Sequence, residues 1–92
     1  FSDDHDWVRN NINFVSHRVT FVDWNKADES YIDMQLMSMC NHNIIANSSF
    51  SWWGAWLNSN TDKIVIAPDR WFRDEKKNAW LDDFYPQGWI KL

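Results

Sequence analysis

Two kinds of hydrophobic pattern alternate along this chain. Short, near-continuous apolar runs, Asn43-Ile44-Ile45-Ala46 and Lys63-Ile64-Val65-Ile66-Ala67, read as buried strands. Arg18-Val19-Thr20-Phe21-Val22 is β-branched and aromatic, and predicts a further strand. Between these runs the spacing lengthens to three and four. Ser30 to Cys40 predicts a helix with Ile32, Leu36, Met39 and Cys40 on one apolar stripe and Ser30 or Asp28 as its cap. Trp53, Trp56 and Leu57 give the segment from Trp52 a helical face that reads as core. Asp4 to Asn11 predicts a short helix with acid in its first turn, following Phe1-Ser2 as the tail of a strand. Asn58 to Asp62 is a polar turn, and Pro68 closes the Lys63–Ala67 strand. Beyond it the pattern loosens through the charged stretch Arg73 to Lys77, with a last strand near Trp89 to Leu92.

Strand and helix in turn, with apolar strands, predict an α/β fold with a parallel sheet covered by helices on both faces, half of a doubly wound, Rossmann-like arrangement. Ligands in such sheets bind beyond the carboxyl ends of the strands. Asn47-Ser48-Ser49-Phe50-Ser51 falls there, between a strand and a helix, and Asp3-Asp4 follows the first apolar stub. A helix start leaves backbone N–H groups without partners. Those donors, the serine hydroxyls and the positive end of the helix dipole suit an anion such as phosphate. The plain alternative is that Ser48 or Ser49 only caps the helix. Asp3 and Asp4 likewise read as acid placed at a helix N-terminus.

Composition narrows the classes. Hydrophobic residues make up 45% and charged residues 24%, ordinary globular usage. A net charge of −4 argues against nonspecific binding to nucleic acid or an anionic membrane, which calls for a basic patch. No apolar run approaches the roughly 20 residues of a membrane span. The single Cys40 excludes an internal disulfide and, within an apolar helical pattern, reads as a buried small hydrophobe. His5 and His17 have no supporting partners in the sequence. His42 precedes a strand, at the end away from the ligand edge, and reads as structural. No second convergent carboxylate stands beside Asp3-Asp4, and Asp82-Asp83 lies in the loose segment, so no metal site is expected. Eight tryptophans read mostly as packing, with Trp52 and Trp71 freer than Trp53 and Trp56.

The run Asn47-Ser48-Ser49-Phe50-Ser51-Trp52-Trp53, preceded by His42, Ile44, Ile45 and Ala46, resembles the signature of the alpha-1,2-fucosyltransferases, glycosyltransferase family 11. Phe1-Ser2-Asp3-Asp4, Asp33-x-x-Leu36-Met37-x-x-Cys40-x-His42, Ala67-Pro68 followed by Trp71-Phe72, and the closing Pro86-x-x-Trp89-Ile90 resemble the same family in the same order. The resemblance implies transfer of L-fucose from GDP-fucose to the 2-hydroxyl of a terminal galactose, with inversion and without a metal or other cofactor. Ser48, Ser49, Phe50 and Ser51 would then meet the donor diphosphate, and Asp3 or Asp4 would read guanine or ribose. Asn47 and Trp71 are candidate substrate contacts, and no catalytic base is assigned.

The family's chains are roughly three times longer and form two Rossmann-like halves of a GT-B-like enzyme. Residues 1–92 are therefore expected to be a single C-terminal, nucleotide-sugar-binding subdomain. Its partners would be GDP-fucose, a galactose-terminated glycan acceptor and an N-terminal half of the same protein. The family's arginine-rich His-x-Arg-x-Gly-Asp motif does not occur here, so this stretch alone is expected to be inactive. A cytoplasmic location, peripheral at the inner face of a membrane, is the expectation for such an enzyme. Two other functions compete: a noncatalytic, tryptophan-rich carbohydrate-binding module, which would be a β-sandwich, and a structural domain in which the serine turn is only a cap.

Overall fold

A computed structural model describes residues 1–13, 18–81 and 83–92. The chain divides into two compact units, Phe1–Asp33 and Met34–Leu92. In the first, helix α1 (His5–Asn11) is capped by Asp4, whose Oδ1 accepts from the Trp7 N–H at 3.0 Å. Arg9 pairs with Asp23 and lies over the Phe21 ring, 5.1 Å from its centroid. That guanidinium, hydrogen-bonded to the carboxylate, holds the Asp23 carboxyl below its ordinary range. Neither Phe1-Ser2 nor Arg18 to Val22 forms a strand. The 18–22 run has β propensity but, among the described residues, no neighbouring strand to bond, and propensity yields to pairing. A 3₁₀ turn (Ala27–Glu29) then leads directly into α2 (Ser30–Ser38), so Ser30 opens that helix rather than capping it from outside.

The second unit holds β1 (Asn43–Ile44), α3 (Ser49–Trp56), β2 (Val65–Ala67), α4 (Glu75–Asn78), a 3₁₀ turn (Ala79–Leu81) and β3 (Ile90–Lys91). The strands form a parallel sheet in the order β1-β2-β3, with Asn43 opposite Val65 and Ile66 opposite Ile90. The fold is α/β, as the alternating pattern predicts. Coverage differs from the prediction. Sequential parallel strands joined by right-handed crossovers put both connections on one side, and Trp52 of α3 does meet Phe84 and Trp89 of the second connection. On that side Ile45, Val65, Ala67 and Ala55 are buried together, with Trp52, Tyr85 and Trp89 packed against them. On the opposite face Ile44 is 80% exposed and Ile90 47%.

The helical stripes are also shifted from the expected ones. α2 ends at Ser38, so Met39 and Cys40 leave the helix and stand exposed, and Met37 is the buried residue. Met37 sits against Gly54 of α3, where a Cβ would come within 3.0 Å of the Met37 Cβ. In α3 the small residues Gly54 and Ala55 are the buried ones, while Trp53, Trp56 and Leu57 are about half exposed. A helix lying close on a sheet favours small residues at the contact and displaces the bulky ones to its flanks.

Candidate functional site

The site is built where β1 and β2 end. Beyond β1 the chain passes through Asn47 to Ser48, which stands at the N-cap of α3 in extended conformation, with no side-chain capping bond from its hydroxyl. Trp52 is the residue whose N–H first bonds back, to the Ser48 carbonyl at 3.0 Å. The N–H groups of Ser49, Phe50 and Ser51 precede it in the first turn, where helix geometry provides no partner. The Ser51 hydroxyl faces inward: its one proton lies between the Ala46 and Ser48 carbonyls, at 3.2 and 3.0 Å. Ser51 therefore stitches the strand-to-helix turn. Ser49 is exposed on that turn.

Beyond β2, residues 68–73 form the second wall. Tyr85 donates its hydroxyl to the Pro68 carbonyl at 2.5 Å. Burial, then the nearby Asp69 carboxylate, pushes the Tyr85 hydroxyl above its ordinary pKa. The Asn78 side chain accepts from the N–H groups of Trp71 and Phe72 at 3.0 and 2.8 Å and donates to the Phe72 carbonyl at 2.7 Å. Asn47 joins the two walls by donating from Nδ2 to the Trp71 carbonyl at 3.2 Å. An open depression of about 280 Å³ results, lined by Asn47, Arg70, Trp71, Phe72 and Arg73.

Asn47 and Trp71, the two residues singled out as candidate contacts, thus line one depression beside the start of α3. Trp71 is half-buried there, with its ring edge-on to Phe84 at 4.8 Å. Asp4 spends a carboxylate oxygen on capping α1, and Asp3 is exposed beside it. His42 serves the sheet: its Nδ1 accepts from the Ile64 N–H at 2.9 Å. Among the described residues no three His, Cys, Asp or Glu side chains come together, and no helix is long and apolar enough to cross a membrane. His17 and Asp82 lie outside the described residues.

Arg70, Arg73 and Asn78 were not picked out by sequence reasoning. Two arginines bracketing Trp71-Phe72 just past a strand-closing proline, in an acidic chain, were the available signal. Arg70 pairs with Glu75 at 2.5 Å and donates to the Arg73 carbonyl at 3.0 Å. Among the described residues the Arg73 guanidinium has no acidic partner. At a helix N-terminus, beside two cations and at the carboxyl edge of a parallel sheet, the physics favours an anionic ligand.

Parallel α/β sheets take their ligands at such an edge, beyond the carboxyl ends of the strands. Comparison with known proteins narrows this. Residues 1–92 match the profile of glycosyl transferase family 11, and the chain belongs to that family. Over its full length it is 46% identical to the O-antigen biosynthesis glycosyltransferase WbnK of Escherichia coli, covering 29% of that protein. It is 41% identical to an alpha-1,2-colitosyltransferase of Escherichia coli, again over its full length and covering 31% of the relative. Over 61% of the chain it is 36% identical to the galactoside 2-alpha-L-fucosyltransferase SEC1 of Bos taurus, covering 15% of it. The chain thus spans less than a third of the length of these relatives. No solved structure matches it.

Proposed function

We propose that this chain carries the donor-binding part of a glycosyltransferase that moves L-fucose from GDP-fucose to the 2-hydroxyl of a terminal galactose. The transfer inverts the anomeric centre and is metal-independent, within a GT-B-like enzyme of two Rossmann-like halves. The observation that carries this reading is the turn Asn47 to Ser51, which opens α3 at the carboxyl end of β1 with its first-turn N–H groups unclaimed among the described residues. In the displacement the acceptor hydroxyl gives up its proton to a general base, to which no residue is assigned here. Its oxygen bonds to the sugar C1 as the bond from C1 to the phosphate oxygen breaks, and the electron pair leaves with GDP. Negative charge grows on that diphosphate, so donors aimed at it stabilise the transition state more than the bound substrate. Ser49 and Phe50 supply N–H groups, Ser49 adds a hydroxyl, and Ser51 holds the turn in shape. Asp3 or Asp4 reads guanine or ribose, with Asp4 also anchoring α1.

A colitosyl donor is the second reading, favoured by the identity to the colitosyltransferase. The test is binding of GDP to the intact protein and to Ser49→Ala, followed by transfer assays with fucosyl and colitosyl donors. A hydrogen bond to a charged group is worth about 1.5–3 kcal/mol, so S49A should weaken GDP binding about ten- to a hundredfold. Intact protein that binds UDP as well as GDP, or neither, would overturn the reading. Activity with a colitosyl donor alone would select the second.

A further inference from the structure

Resting on that reading, we infer that Arg73, assisted by Arg70, forms the cationic half of the diphosphate site whose other half is the first turn of α3. The helix end alone offers only about half a unit of positive charge, well short of what a nucleoside diphosphate carries. Arg73 lines the depression, is exposed, and has no acidic partner among the described residues. An arginine fork matches phosphate oxygens in pairs, which a lysine does not.

Position supports the role. Both arginines lie on the segment that follows β2, at the same sheet edge as the α3 turn that follows β1. Three side chains fix that segment: Asn78 bonds Trp71 and Phe72, Tyr85 bonds Pro68, and Asn47, the residue before Ser48, bonds Trp71. Arg70 is half committed, to Glu75 and to the Arg73 carbonyl. Its bond to that carbonyl shapes the backbone from which Arg73 projects, and its charge adds to the field over the depression. Arg73 contacts the ligand, and Arg70 is a positioning residue.

The experiment measures GDP and GMP binding by calorimetric titration of the intact protein, with Arg73→Ala, Arg73→Lys and Arg70→Ala beside it. R73A should lose about tenfold or more in GDP affinity, the scale of a charge-assisted bond. GMP, which lacks the second phosphate, should lose less, and R73K should recover only part of the loss. R70A should show a smaller loss, made up at low ionic strength, where the field of Arg73 is least screened. If unaltered protein binds GDP but R73A keeps the same preference for GDP over GMP, the inference fails and the donor-site reading stands. If unaltered protein does not bind GDP, the donor-site reading itself fails. Arg73 is exposed and outside every helix and strand, so circular dichroism of R73A should match the parent, and a changed spectrum would count against a purely ligand-facing role.

Discussion

Asn58 is 4% exposed and Asn43 7%, and together they form the buried polar joint of the sheet unit. Asn58 donates from Nδ2 to the Cys40 carbonyl at 2.6 Å and to Asn43 Oδ1 at 2.8 Å, and accepts from the Asn60 N–H at 3.0 Å. Asn43 in turn donates to the Met37 carbonyl at 2.9 Å. The joint therefore ties the end of α2, the start of β1 and the exit from α3. Asn58→Ala would strand three groups. Cys40 and Asn60 lie where water can reach them, so each costs about 0.5 kcal/mol, whereas the buried Asn43 Oδ1 costs about 1–3 kcal/mol. The sum is about 2–4 kcal/mol, or roughly 8–32 °C in melting temperature for a domain of 60–100 residues. Thermal unfolding followed by circular dichroism reads this directly. The Asn43→Ala and Asn58→Ala double variant should cost less than the two single variants added, because it leaves no orphaned partner between them. Additive losses, or a loss below about 0.5 kcal/mol for N58A, would refute the claim that this pair is a coupled, buried network.

The Tyr85 hydroxyl gives a pH signature. Its folded pKa is raised above the ordinary 10.0, by burial first and Asp69 second. The folded state thus holds the proton more tightly, and the stability this contributes is whole below pH 10.0 and lost as pH rises through the raised value. Urea unfolding at pH 9 and pH 11 should show that decline, and Tyr85→Phe should flatten it while losing about 1 kcal/mol at neutral pH with the bond to Pro68. An unchanged slope would show that Tyr85 is not the titrating group. At Gly54, alanine gains about 1 kcal/mol in helix propensity but brings a Cβ within 3.0 Å of the Met37 Cβ, which is fixed to its backbone. Overpacking of about 1–3 kcal/mol should leave Gly54→Ala destabilised by up to about 2 kcal/mol. A stabilised variant would mean that α2 and α3 part without cost.

What the sequence made legible was set by which signals are local. β1 and β2 fall within the predicted apolar runs and β3 within the last strand predicted near Trp89 to Leu92, although the face that carries Ile44 and Ile90 is open. The start of α3 and the placement of Asn47 and Trp71 at one edge followed from the serine turn and the strand-closing proline. Arg18 to Val22 misled because its residues favour extended backbone while strand formation depends on a partner that sequence does not display. The α3 face was inverted for a similar reason. Counting apolar spacing favours Trp53, Trp56 and Leu57, but closeness to the sheet selects Gly54 and Ala55, and closeness is a tertiary property. Arg70 and Arg73 were hidden by an ordinary appearance: a charged stretch is usually a solvated face, and only the fold shows which end of the sheet it borders.

The aromatic residues also decide between functions. The buried aliphatic core of the sheet unit is small, consisting of Ile45, Ala55, Val65 and Ala67. Such small side chains leave space above the sheet that indoles and phenols fill. Trp52 is ringed by Trp53, Trp56, Phe84 and Trp89 at 4.9–6.3 Å, and its Nε1 donates to the Phe84 carbonyl at 3.1 Å. A sugar platform needs an indole face open to solvent, and Trp52 is part-buried among these rings. The parallel sheet is equally unlike the β-sandwich that a tryptophan-rich binding module would require. Phe84 touches both Trp52 of α3 and Trp71 of the segment after β2. One ring therefore joins α3 to the segment after β2, and Trp52, Trp71 and Trp89 read as a frame packed between the serine turn and that segment.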